Sequence, residues 1–318
     1  MAPHTAGDPR SDQQWLNCRL SDIRQQLDQR GHVISKPVIS RLLRTHGYSL
    51  RANVKQQAGT QHPARDQQFQ HLHAQRAAHQ AAGQPVLSVD TKKKELVGNF
   101  KNAGQIWCQE AEMVDAHDFP QDALGRAVPY GIYDLQHNRG TVYVGQSADT
   151  PAFAVDNIAH WCATEVRERF PDATQLLIEA DSGGSNSARW RVWKRCRQEH
   201  VADRFGLTVT VSHYPPGTSK WNPVEHRLFS EISKTWAGCP LRSFDRVVQY
   251  IQETRTQTGL QVTAHLVPTA YPTGAKVSDA VMASLNIHAH EPCPQWNYTI
   301  HPRSVVAPSH PNGEVIFL

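Results

Sequence analysis

Nowhere in its 318 residues does this chain approach a run of about 18 apolar side chains, so no transmembrane helix is expected. Met1 to Arg10 carry no apolar core and do not read as a secretory signal. The six cysteines (Cys18, Cys108, Cys162, Cys196, Cys239 and Cys293) are scattered, with no C-x-x-C pair. That excludes a dense disulfide scaffold and a zinc ribbon, and leaves reduced thiols in a cytoplasmic protein as the expectation. The 18 histidines include no H-E-x-x-H, and the pairs His71/His73 and His288/His290 are spaced too closely to share a helix face. There is no G-x-x-x-x-G-K-[ST] loop, which argues against nucleotide hydrolysis. Gly183-Gly-Ser185-Asn-Ser187 lacks the last glycine of G-x-S-x-G, so a serine nucleophile elbow is not expected.

What is present is a soluble composition, 39% hydrophobic and 19% charged, with an uneven distribution of charge. Residues 1–84 carry 11 Lys and Arg against 5 acids, a balance of +6, whereas residues 85–318 carry 22 against 24. A basic front on a near-neutral body suggests an anionic partner held by the front, or a solvated basic face. Within that front, Leu20, Ile23 and Leu27 keep helical spacing up to Gly31. Ser35 then offers an N-cap, Pro37 suits a first turn, and Ile39, Leu42 and Leu43 form a second apolar stripe before Gly47. Two short helices and a tight turn make a helix-turn-helix candidate. Lys36, Ser40, Arg41 and Arg44 lie off the apolar stripe, where they can meet phosphates and base edges. Residues 51–84, rich in Gln, His and Ala, read as a polar helix or linker.

From residue 85 the pattern changes. Strands are expected at Pro85–Asp90, Tyr130–Asp134, Thr141–Val144, Gln175–Asp181 and Leu207–Val211. Helices are expected at Thr150–Phe170, Ser185–Phe205, Asn222–Trp236 and Phe244–Thr256, with 92–128 an irregular insertion. Three strands followed by alternating helices and strands imply an α/β mixed sheet flanked by helices, the succession of a ribonuclease-H-like fold. The expected domains are a helix-turn-helix domain at 1–62, a linker helix at 63–84, a catalytic domain at 85–270 and a C-terminal extension at 271–318.

Three acids stand out by position. Asp90 closes the first of these strands, Asp181 closes the fourth just before Gly183-Gly184, and Glu225 begins a helix after the fifth. In open sheets, sites form where strand ends and helix starts converge, so acids distant in sequence can meet there and hold a divalent ion. Phosphodiester cleavage needs such a cluster, since two Mg²⁺ ions about 3.5–4 Å apart can clamp the attacking and leaving oxygens. Each acid also has an ordinary reading. Asp90 and Asp181 can be turn formers, and Asn222-Pro-Val-Glu225 resembles a capping box. Glu225 shares a helix face with Leu228, Phe229, Ile232 and Trp236. Glu95 and Glu179 are weaker candidates by strand parity and position.

These residues carry a resemblance. The blocks Ser88–Phe100 (SVDTKKKELVGNF), Asp181–Asn186 (DSGGSN) and His213–Phe229 (HYPPGTSKWNPVEHRLF), with Trp296–Ile300 near the end, resemble DDE transposases of bacterial insertion sequences. The nearest branch is the Rhodopirellula-type transposase family, and the third block also resembles the P-P-x-S-P-x-L-N-P-I-E stretch of mariner-like transposases. The resemblance covers about residues 10 to 302. It implies a ribonuclease-H-like catalytic domain that cleaves at transposon ends and joins the 3′-hydroxyl to target DNA. Asp90, Asp181 and Glu225 match the acidic triad and would hold Mg²⁺ or Mn²⁺, two ions, with no covalent protein intermediate.

Double-stranded DNA, both transposon ends and target, is then the partner, met by a homodimer in the bacterial cytoplasm at the nucleoid. Lys92, Lys93 and Lys94 are expected along the DNA backbone. Arg189, Arg191, Lys194, Arg195 and Arg197 crowd one helix, and Arg191 and Arg195, with Lys220, complete the expected contacts. Family members are expected to be longer at the N-terminus, and Ser182 and Ser187 stand where glycines are usual. The rival readings are a structure-selective nuclease on the same fold and a transposase-derived DNA-binding protein, inactive or truncated.

Overall fold

A computed structural model describes residues 5–7, 14–16, 18–50 and 62–303. The chain divides into two compact units, the first ending at Ala58 and the second beginning at Gly59. In the first unit, β1 (Thr5–Gly7) and β2 (Gln14–Leu16) form an antiparallel ladder ahead of α1 (Leu20–Gln29) and α2 (Lys36–Thr45). The two helices pack together and bury Ile23 and Ile39, as the apolar spacing requires. Asp22 accepts from the backbone N–H of Arg19 at 2.9 Å and so closes the start of α1. Gly31 and Gly47 follow the two helices at φ +81° and +79°, a conformation that side chains with a Cβ resist. Residues 51–61, the end of the expected helix-turn-helix domain, and 304–318, the end of the expected C-terminal extension, lie outside the described residues.

The second unit opens with α3 (Arg65–Ala81) and continues through β3 (Val86–Thr91), β4 (Glu95–Val97), β5 (Gly125–Asp134) and β6 (Arg139–Gly145). Next, α4 (Pro151–Trp161) runs through a π-turn at Cys162–Val166 into α5 (Arg167–Arg169), followed by β7 (Gln175–Ala180). In the same way α6 (Arg191–Arg197) passes through a π-turn at Gln198–Ala202 into α7 (Asp203–Phe205), followed by β8 (Thr208–His213). A third π-turn, Glu225–Phe229, leads into α8 (Ser230–Thr235). The remainder is α9 (Phe244–Gln252), β9 (Gln261–Val267), α10 (Asp279–Ala283), β10 (Ile287–Ala289) and β11 (Asn297–Ile300).

The sheet order is β10-β11-β8-β7-β3-β5-β6-β9, with β4 beside β5. At its centre the antiparallel meander β3-β5-β6 is followed by β7 and β8, both parallel to β3. This is the ribonuclease-H-like arrangement expected from the element order. β9 extends one edge in parallel and β11 the other antiparallel, two additions that the sequence pattern did not signal. The central strands are buried on both faces, which is why they read as continuous apolar runs. One core cluster joins Leu87 and Val89 to Phe153, Ile158, Trp161 and Trp193. The other joins Tyr133, Val142 and Val144 to Val224, Leu228, Phe229 and Val247.

Three expectations change. The helix expected from Ser185 begins at Arg191, because the Trp190 ring N–H donates to the carbonyl of Gly184 at 2.8 Å and folds the intervening residues into a closed loop. The insertion after the first strand contains β4, paired to β5. And α3, expected as a linker helix, packs within the second unit: its buried Gln68 donates to the His213 carbonyl and to Asn297 Oδ1, both at 2.8 Å. Among the described residues no helix is long and apolar enough to cross a membrane.

Candidate active site

Strand register brings the first two acids together. β3 and β7 are parallel neighbours with Val89 opposite Ala180, so the next residues, Asp90 and Asp181, reach the ends of adjacent strands at the same level. Asp90 shares strand parity with Ser88, and the Ser88 face is the one on which the third acid arrives. There the Ser88 hydroxyl donates to Asn222 Oδ1 at 2.5 Å and accepts the backbone N–H of Val224 at 2.9 Å. Asn222 in turn donates to the Val89 carbonyl at 3.2 Å. Both side chains are fully buried. The side chain of Asn222 is therefore a clasp onto β3, and the capping-box reading of 222–225 is replaced. Glu225 follows three residues later, at the start of the π-turn.

Two glycines let that turn lie close to the sheet. A Cβ on Gly131, which pairs with Asp90 across the β3–β5 ladder, would come within 2.4 Å of the Phe229 ring. One on Gly140 would come equally close to Leu228, at 2.4 Å.

The acids feel one another. Burial, and then the charges of Asp181 and Glu225, push the Asp90 carboxyl well above the usual carboxylate range, and Asp90 also shares a hydrogen bond with Glu225. Asp181 is pushed up to about 6 by burial, against the pull of the Gly183 N–H and the Asn186 amide, with Glu225 and Asp149 adding like charge. Tyr130 donates to Asn186 Oδ1 at 3.0 Å, which fixes the orientation of that amide.

Asp149 is a fourth acid that the sequence reading missed. It accepts from the Thr91 hydroxyl at 3.1 Å and lies 3.6 Å from Lys94 Nζ. The available signal was its place just before the N-cap Thr150 of α4, after a strand, where an acid has the same setting as Asp181.

These residues fit a divalent cation. Asp181 Oδ1 is buried with no hydrogen-bond partner among the described residues. A Cβ on Gly183 would lie 3.1 Å from Asp181 Oδ2, so a side chain there would crowd that oxygen. Among the described residues no three Asp, Glu, His or Cys side chains are already closed around a common ion position.

The expected DNA-contacting cations are placed differently from one another. Lys36, Arg41 and Arg44 are exposed on α2. Lys93 and Lys94 are exposed beside Asp90 and line a cavity of about 280 Å³ with Lys101 and Arg126. Lys92 is buried, 3.1 Å from Glu95 and over the Trp236 ring. Arg191 is exposed but pairs with Asp279 at 2.6 Å, and half-buried Arg195 lies 3.6 Å from Glu199. Arg197 is fully buried against the Trp193 ring. Lys220 is exposed beside the Trp221 ring. The structure thus brings the acids together and withdraws Lys92 and Arg197 from the surface.

Comparison with known proteins follows the same direction. The family model described as Rhodopirellula transposase DDE domain matches residues 1–302. No curated protein matches the chain. Among solved structures, the Mos1 transposase paired-end complex with left transposon end is similar, with TM-score 0.44 and 11% identity over 77% of this chain and 74% of that one. A pre-cleavage Mos1 transpososome gives 0.46 and 10% over 74% and 66%. The Mos1 mariner paired end complex with Mn gives 0.45 and 12% over the same shares, 74% and 66%. With its matched span covering nearly the whole sequence, the chain belongs to the Rhodopirellula transposase DDE domain family.

Proposed function

We propose that this chain is a metal-dependent DNA transposase that cleaves at transposon ends and joins the freed 3′-hydroxyl to target DNA. The observation that carries the reading is the convergence of Asp90, Asp181 and Glu225 from two adjacent strand ends and one helix start. Asp90, Asp181 and Glu225 would hold Mg²⁺ or Mn²⁺, and a pair of such ions supplies a Lewis acid at the scissile phosphate and an activated oxygen nucleophile.

The chain's own residues do the rest. Asp90 and Asp181 are poised by burial and mutual repulsion to give up protons when positive charge arrives. The Gly183 N–H and the Asn186 amide favour the ionised form of Asp181, while the Ser88–Asn222 clasp holds the start of the Glu225 helix against β3. Lys93, Lys94, Lys101 and Arg126 outnumber Glu95 and Asp118 around the cavity that follows Asp90, a net positive lining that suits a DNA backbone. The exposed Lys36, Arg41 and Arg44 of α2 suit recognition of the transposon end by the first unit, with Arg191, Arg195 and Lys220 as further backbone contacts. Two ends are processed together, so the active form on DNA is a homodimer.

The test is a strand-transfer assay with the element's own terminal repeats in Mg²⁺ and in Mn²⁺. The wild type should nick and join, and Asp181→Ala should do neither while binding the ends unchanged. Nicking without joining would move the chain to the nuclease class. Binding with no chemistry in either metal would leave it a DNA-binding protein.

A further inference from the structure

Beside Glu225, on the side where α3 lies, is a cavity of about 450 Å³, within the range of small-ligand sites. Its lining combines three aromatic rings, Phe69, Tyr214 and Trp221, with the cations Arg65 and Arg227, and no acid lines it, although the exposed Asp66 pairs with Arg65 at 3.0 Å. Arg76 also reaches it, but its charge is met by Glu179, to which it makes two hydrogen bonds at 2.8 and 2.5 Å. The indole of Trp221 is 52% exposed and stands edge-on to Phe69, with ring centres 6.2 Å apart at 74°. Arg65 covers the Phe69 ring at 5.1 Å, and Lys220 lies 5.6 Å from the Trp221 ring.

The groove is fastened to the acid site at two points. Pro223, His226 and Arg227 line it from either side of Glu225. Ser182, next to Asp181, donates to the Tyr214 carbonyl at 2.6 Å.

A cation-rich wall without acids selects an anionic ligand. A half-exposed indole among other rings selects a flat π-face. A paired duplex presents phosphates outward and keeps its bases stacked inside, whereas an unpaired nucleotide offers both features at once. An apolar protein partner would find no use for the arginines. We infer that this groove holds an unpaired nucleotide of the DNA strand being processed, its base against Trp221 and its phosphates against Arg65 and Arg227. The groove is a subsite of the proposed transposase centre and rests on that reading for its substrate.

The experiment is direct binding to the full-length protein without divalent ions, so that it does not depend on cleavage. The probes are a six-nucleotide oligothymidylate carrying a fluorescent label and a central 2-aminopurine, and a blunt hairpin duplex. Trp221→Ala should weaken oligonucleotide binding about tenfold or more, abolish quenching of the 2-aminopurine, and leave duplex affinity within twofold. Trp221→Phe should restore most of the affinity. Oligonucleotide binding unchanged in Trp221→Ala, or lost in step with duplex binding, overturns the groove while leaving the transposase reading intact. Failure of the wild type to cut or join, with the groove effect present, overturns the transposase reading alone.

Discussion

Asp181 is the residue at which stability and chemistry oppose each other. Its folded pKa of about 6 lies above the ordinary 3.8, so protonated Asp181 contributes stability that is fully present below 3.8 and lost as pH rises through 6. At pH 8 without divalent ions, Asp181→Asn should therefore raise Tm by roughly 2–8 °C, as removal of one buried charge in a unit of this size implies. At pH 4 the same substitution should change Tm little. Millimolar Mg²⁺ at pH 8 should raise the Tm of the wild type more than that of Asp181→Asn, which keeps Asp90 and Glu225 but lacks one of the three carboxylates that would hold the ion. Calorimetry across pH with and without Mg²⁺ checks both; a Tm that is flat with pH in the wild type would refute the argument. Asp90, Asp181 and Glu225 were legible in the sequence because acids at a strand end or a helix start leave a local mark. Asp149 left the same mark before the N-cap Thr150 and was overlooked, whereas Gly131 left none, since its significance lies in a contact with Phe229, 98 positions away.

At the scale of elements, the third acid depends on how closely its helix lies on the sheet. Gly131→Ala forces the Phe229 ring aside, and overpacking of this kind costs about 1–3 kcal/mol. Because the displaced turn carries Glu225, strand transfer should fall further than stability does, by about tenfold or more, while DNA binding persists. Ser88→Ala removes the hydroxyl shared by Asn222 and Val224 and strands a buried amide oxygen, a loss of about 1–3 kcal/mol. Its unfolding midpoint in urea should drop, and nicking at fixed Mg²⁺ should slow with it. A slower reaction without a lower midpoint would show that the clasp only positions. The central strands and most helices could be read from periodicity, but the edge strands could not. β10 spans three residues, and the outer strand β9 alternates buried and exposed positions among polar side chains, too weak a pattern to stand out. The helix expected from Ser185 failed for another reason: a single indole-to-carbonyl bond closes the loop before it, and that contact has no local signature.

The molecule divides its labour in the way its charge is divided. The basic +6 lies in residues 1–84, and the first compact unit ends at Ala58, so a fragment beginning at Gly59 loses the exposed cations of α2 but keeps the whole sheet and all four acids. That fragment should unfold as one cooperative transition and retain salt-sensitive binding to any duplex, with its preference for the terminal repeat gone. Competition binding against unrelated DNA at several salt concentrations measures this directly, and an undiminished preference would place end recognition in the second unit.

The three π-turns have a genetic consequence. Each of the helices that begin at Pro151, Arg191 and Glu225 carries one turn wider than its neighbours, and such a turn is an inserted residue absorbed in the helix. An in-frame loss of one codon between His226 and Phe229 would let the third helix rewind as an ordinary one. The Ser88–Asn222 clasp and the buried face beyond the turn would then compete for register, with a mismatch of about 100° around the axis between Glu225 and the residues after it. If the transposase reading holds, such a three-nucleotide deletion should lower strand transfer while far-UV circular dichroism and end binding stay unchanged, so one mutational step would separate binding from chemistry.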